Sequence, residues 1–295
     1  MHGALHFYFF EINPDFVEDS VAHHNTNRIS ASINRCGYQL LVNIIDFMIG
    51  SKDDWTGEMC IRDLLTHSRY CNTTDLRDKV YAFIGMADPG YLIVPDYTLC
   101  LNRVLTVTTR RIIEYEDSLD ILTNAVVPRL NTRADLPSWV VDWTEKELGD
   151  LRNNDFGSKS WKDMTGLPKE RPDASFILAQ ALPNLPRLTL AVWGVYLGIM
   201  VTKSVDDMWP QLDDSFGSFE TEDGVHVWCS SAVQHFDQLW FLQGSRSLFV
   251  MRSSGRSYVI VSAAFTMLPF HGKSVLDYVE KGERRQGARE RISII

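Results

Sequence analysis

Thr74-Asp75-Leu76-Arg77-Asp78-Lys79-Val80-Tyr81-Ala82-Phe83-Ile84-Gly85-Met86 is the stretch around which the chain reads. Leu76, Val80, Phe83 and Ile84 fall at i, i+4, i+7 and i+8, one face of an α-helix. Asp75 stands at the N-cap position, and Asp78 three residues later fits a capping-box partner. Gly85 and then Asp88-Pro89-Gly90 supply the stop. The spacing predicts a short, sharply bounded helix with its apolar face inward and Arg77, Asp78 and Lys79 near its start. A helix alone carries no chemistry.

Outward from this stretch, three more amphipathic patterns appear. Leu41, Ile44, Ile45 and Met48 mark a helix ending near Gly50. Ile61, Leu64 and Leu65 mark another, entered through Thr56-Gly57. Leu101, Val104, Leu105, Thr108, Ile112 and Tyr115 mark a longer one, with Arg110, Arg111 and Glu114 mostly outward. Such stripes are buried only against one another or against a partner. After Ser118 the character changes. Leu136-Pro137-Ser138-Trp139-Val140-Val141-Asp142-Trp143 is aromatic and interrupted by proline, and residues 144–173 read as a polar linker.

Beyond the linker, β-branched and aromatic clusters recur between turn residues: Ser175–Ala179, Leu188–Val201, Val225–Val227, Leu239–Leu242, Leu248–Met251 and Tyr258–Val261. Ser253-Ser254-Gly255-Arg256 fits a hairpin turn between the last two. The expected fold is α+β, a helical bundle-like region followed by a small antiparallel β module. The chain divides into an irregular segment 1–37, a helical region 38–143 holding both motifs, a linker 144–173, a β-rich module 174–268 and a charged tail 269–295. The tail's Lys281–Arg291 portion is dense in charge and is expected to fray.

Composition narrows the function. The 295 residues are 45% hydrophobic and 23% charged, an ordinary globular profile, with a formal charge of −9. That charge opposes nucleic-acid binding through a bulk basic field. Cys36, Cys60, Cys71, Cys100 and Cys229 are odd in number and scattered, which suits free thiols in a reducing compartment rather than disulfides or a zinc site. No apolar run reaches a membrane span, and Met1–Phe10 lacks the basic start of a signal peptide. A cytoplasmic protein without nucleic-acid or membrane partners is expected. No metal site, cofactor loop or nucleophile motif is legible; His23-His24 has no third ligand spaced to join it.

Three pieces, in order, resemble the heterokaryon-incompatibility (HET domain) proteins of filamentous fungi. Thr74–Gly85 resembles the family's T-D-P-R-D-K-V-Y-A-L-L-G, with Leu76 in place of proline. Pro95-Asp96-Tyr97 resembles the P-D-Y that follows. Leu136–Trp143 resembles L-P-S-W-V-P-D-W, with Val141 in place of proline. Farther on, Trp193-Gly194-Val195, Asp237-Gln238-Leu239 and Phe249-Val250-Met251-Arg252 resemble the family's C-terminal strand segments, with Phe236 where the family has glycine and Leu248 where it has proline. The family's N-terminal motifs (Y-x-A-L-S-Y-x-W-G and W-I-D-x-x-C-I-N-Q) are absent. In relatives that portion looks like a TIR-type α/β fold, to which NAD cleavage and programmed cell death would be assigned.

The resemblance therefore implies a non-catalytic part of an incompatibility-like protein, a fragment or a diverged member, acting through an unidentified protein partner in self/non-self recognition. The signature residues are Asp75, Arg77, Asp78, Lys79, Tyr81, Asp96, Trp139, Asp142 and Trp143, with no catalytic, cofactor or metal role. Asp75 is expected to cap the helix, and Arg77 or Lys79 to pair with Asp142 or Asp96, pinning the tryptophan-rich loop. Trp139 and Trp143 are expected to pack as core. The alternative is a diverged small-molecule enzyme using the helix–sheet cleft, with Arg77, Asp78, Asp142 and Trp139 around it.

Overall fold

The computed structural model describes residues 59–69, 71–125, 135–145, 171–179, 187–203, 216–266, 277, 279–281 and 289–295. All belong to the second of two units, Asp54–Ile295. The expected helix at 41–50, the segment 1–37 and most of the linker lie outside the described residues.

Helix α1 spans Ile61–His67, α2 spans Asp78–Tyr81 and α3 spans Leu101–Glu116. α1 buries Ile61, Leu64 and Leu65, and α3 buries Val104, Leu105, Thr108 and Ile112, as their spacing requires. The stretch 74–86 differs from expectation. It forms one helical turn: of the apolar set Leu76, Val80, Phe83 and Ile84 only Val80 is buried, and Leu76 is 43% exposed. Asp75 does not cap α2; the N-cap is Arg77, without a side-chain bond. Asp75 Oδ1 instead accepts the Arg77 backbone N–H at 2.9 Å, a local turn that competes with helix.

Eight strands follow: β1 Ser175–Ala179, β2 Arg187–Lys203, β3 Phe216–Thr221, β4 His226–Ser230, β5 Gln238–Leu242, β6 Leu248–Ser254, β7 Ser257–Ala264 and β8 Glu290–Ile294. They form one mostly antiparallel sheet in the order β4-β3-β2-β5-β6-β7-β8, with β1 also on β2. The sheet returns on itself twice. β8 pairs antiparallel with the first half of β2 and touches β7 in parallel at Tyr258 and Ile294. At the other end Trp228 and Phe265 exchange both backbone bonds, joining β4 to the chain just past β7. β2 serves both closures because bulges between Tyr196 and Gly198 and between Met200 and Thr202 bend it. Val195, Leu197, Phe219, Val227, Phe241 and Val250 are among the side chains filling the interior.

Two strands were not legible in sequence. β3 reads F-G-S-F-E-T, too polar to signal a strand. β8 begins within the last two residues of the Lys281–Arg291 portion expected to fray, in a tail read as charged and not as strand, yet Ile292 and Ile294 alternate inward and close the sheet. Gly255 lies at φ +66° in the expected β6–β7 turn, flanked by the Ser254–Ser257 pair.

Candidate functional site

The signature residues fall into two places. The first is on the surface. Arg77 forms a fork with Asp75, Nε to Oδ1 at 3.0 Å and Nη2 to Oδ2 at 2.6 Å. Its Nη1 donates to the Tyr97 and Leu99 carbonyls at 2.6 and 3.1 Å, and its guanidinium lies 5.2 Å from the Tyr97 ring centre. The Tyr97 hydroxyl donates to Asp78 Oδ1 at 2.5 Å, and the Tyr81 hydroxyl donates to the Asp96 carbonyl at 3.1 Å. Asp96 Oδ1 in turn accepts the Thr98 N–H and hydroxyl at 2.8 and 2.6 Å. The expected pairing of Arg77 with Asp96 or Asp142 is thus not what forms: its carboxylate partner is Asp75, and it reaches the chain after Pro95 through the Tyr97 and Leu99 carbonyls. Two residues of separation place that carboxylate within reach before any tertiary contact forms.

The electrostatics of this cluster are settled far from neutrality. The side-chain and backbone bonds from Arg77 hold the Asp75 carboxyl down at about 2. The Thr98 hydroxyl and N–H lower Asp96. The bond to Asp78 raises the Tyr97 phenol, which therefore stays protonated. None of these three groups is poised to move a proton near pH 7.

The second place is interior. Lys79 is 3% exposed, and its Nζ donates to the carbonyls of Arg69 (2.8 Å) and Cys71. Arg69, a residue no sequence signal singled out, is 1% exposed. Its Nη1 donates to the Asp142 and Glu145 carbonyls at 3.1 and 3.2 Å while its guanidinium stacks 4.9 Å from the Trp143 ring centre. The tryptophan-rich loop is therefore held by Arg69 through backbone carbonyls, and not by the expected pairing of Arg77 with the Asp142 carboxylate. Asp142 Oδ1 accepts the Thr144 N–H at 2.9 Å and its hydroxyl at 2.6 Å, closing a turn.

Trp139 and Trp143 are core residues, as expected, 0% and 1% exposed. Trp139 Nε1 donates to the Leu188 carbonyl of β2 at 3.1 Å, and its ring meets Phe176 of β1 at 5.4 Å. Ser138 bonds the Ile295 carbonyl through its N–H at 3.0 Å and also through its hydroxyl, whose oxygen accepts the Ile260 N–H of β7 at 3.0 Å. On its other flank, the Val141 N–H donates to Thr109 Oγ1 of α3 at 3.1 Å. Leu136–Trp143 is thus a strap between the helices and three strands or strand ends.

The Arg77 and Asp78 bonds run to Asp75, Tyr97 and Leu99, not to Trp139 or Asp142: the first pair is half-buried and the second is buried. Among the described residues no group of three or more histidine, cysteine or acidic side chains could hold a metal. Burial raises the Cys60 and Cys229 thiols, the reverse of what a nucleophile needs. No helix among the described residues is long and apolar enough to cross a membrane. No family model matches the chain, and no similar curated protein or solved structure is found.

Proposed function

We propose that the chain is the non-catalytic, supporting part of a fungal heterokaryon-incompatibility-like protein, cytoplasmic, acting through protein contacts in self/non-self recognition and the cell death that follows it. The observation that carries this is the distribution of exposed apolar side chains. Leu76, Leu92, Val94, Tyr97 and Tyr115, five of the eight large hydrophobic residues exposed among those described, fall between the residue two positions before α2 and the end of α3. Val94 is 76% exposed and Leu92 65%. Exposed apolar side chains gathered on one part of a chain favour a docking surface over a catalytic pocket.

Two further features support the family reading. The charged signature residues bond one another and backbone carbonyls, a structural use of T-D-L-R-D-K. Phe236, where the family carries glycine, has φ +74°, a conformation that suits glycine.

The partner for this surface is the effector module of such a protein. Calorimetric titration of the purified chain with a separately expressed HET effector module is expected to show binding. Leu76→Glu combined with Val94→Glu should weaken it at least tenfold at unchanged Tm. Incubation of the chain with NAD should release no nicotinamide. NAD turnover, or binding indifferent to the double substitution, refutes the proposal.

A further inference from the structure

The loop from β4 to β5 holds a residue whose backbone and side chain work against folding. Phe236 lies in the left-handed region at φ +74°, which a bulky side chain rarely occupies. Burial does not offset this strain: the side chain is 71% exposed, with its ring 3.9 Å from that of His235. The surrounding bonds over-determine the conformation. The Phe236 N–H donates to the Met200 carbonyl at 3.1 Å, and the Met200 N–H donates to the Asp237 carbonyl at 2.8 Å. The Asp237 carboxylate, 3% exposed, takes the Gln234 N–H and both arms of the Arg252 fork, each at 2.8 Å. His235 Nδ1 lies 2.7 Å from the Val201 carbonyl. The backbone at Phe236 is thereby held in place, and its ring stands out from the loop as an exposed aromatic knob.

Its surroundings are acidic. Across β2 from this loop, the β3–β4 turn is fixed by the Glu222 N–H donating to the Ile199 carbonyl. Two strand spacings, roughly 10 Å, separate the turn from the loop. Glu220, Glu222 and Asp223 lie in and beside that turn, and Val201, 36% exposed, lies between it and Phe236. Arg252 is engaged by Asp237, and the whole chain carries −9.

We propose that this end of the barrel docks a basic segment of a partner protein, an apolar side chain flanked by arginine or lysine. Phe236 receives the apolar group or a guanidinium on its face, and Glu220, Glu222 and Asp223 meet the flanking cations. The same carboxylates repel an anionic lipid surface and a second copy of this end. The inference stands independently of the family reading.

Fluorescence anisotropy of the full chain with two labelled peptides tests it, one alternating arginine and leucine, the other glutamate and leucine. The arginine peptide should bind, more weakly as salt rises, and the glutamate peptide should not. Phe236→Gly should weaken binding at least tenfold while raising Tm, since glycine relieves the backbone; Glu222→Gln with Asp223→Asn should weaken it comparably at similar Tm. Failure of the arginine peptide to bind, equal binding of both peptides, undiminished binding by Phe236→Gly, or a lowered Tm for that variant would overturn the proposal. Phe236-dependent flotation with anionic vesicles, or Phe236-dependent dimerisation in sedimentation equilibrium, would also overturn it by assigning a different occupant.

Discussion

At the scale of single residues, side chains that look equivalent in sequence have unlike roles. Arg77 and Lys79 are two positions apart, yet one faces solvent and the other is enclosed by carbonyls. Asp75 shows what the surface member does with pH. Its folded carboxyl lies near 2, below the usual value of about 4, so its stabilisation is complete above about 4 and fades as pH falls toward 2. Thermal melts across that window should show Asp75→Asn costing stability at pH 5, with the gap from the parent narrowing steadily as pH falls and closing only below the folded value of about 2. A constant gap would remove the Arg77 pairing as its cause. Ser138 both donates and accepts across the strap, so Ser138→Ala should cost about 1–3 kcal/mol in denaturant titration through the orphaned Ile260 N–H, the Ile295 carbonyl keeping its bond from the residue 138 N–H. Trp139→Ala should cost about 3–5 kcal/mol, because its ring is fully enclosed. The burial of both tryptophans was legible from their aromatic, proline-interrupted context. The partner of Arg77 was not, because a carboxylate two residues away outcompeted those reached only after folding. Arg69 gave no signal, since its function depends on where Asp142 and Trp143 arrive.

At the scale of elements, periodicity served where a segment is sheltered on one side. α1 buries the stripe its spacing announces, α3 buries its own except for Leu101 and Tyr115 at its two ends, and the ends of β1 match the apolar cluster that marked it. The 74–86 stretch carries a helical period without a helix to match. Arg77 reaches the loop at Tyr97 and Leu99, and Leu76 gains no burial that would favour further turns. β8 was obscured by its charges, although Ile292 and Ile294 have a strand's alternation. The β5–β6 turn shows how one element can hold another. Gly244 lies at φ +92°, its carbonyl accepts the Leu119 N–H at 2.7 Å, and an added Cβ would stand 2.5 Å from Pro172. Gly244→Ala should therefore cost more than the ~1 kcal/mol of a left-handed alanine alone, measured as a shift in the denaturant midpoint. Tolerance of alanine would show that the turn adjusts freely.

At the scale of the unit Asp54–Ile295, helices and barrel form one body because their joints are buried and polar. Beside the strap, Asp120, 7% exposed, accepts the Arg246 N–H at 2.8 Å and its Nε at 2.9 Å, joining the chain after α3 to the β5–β6 turn. Neither joint could be read beforehand, since each links residues more than a hundred positions apart. The central claim is that the signature residues hold this assembly together instead of performing chemistry. Native-state hydrogen exchange tests it most directly, followed at the amides of Leu119, Val141 and Ile260, which cross the joints. All three are expected to exchange only through global unfolding, with the denaturant dependence of the barrel strands. Exchange of Leu119 and Val141 through a smaller, weakly denaturant-dependent opening, while Ile260 stays protected, would contradict the account.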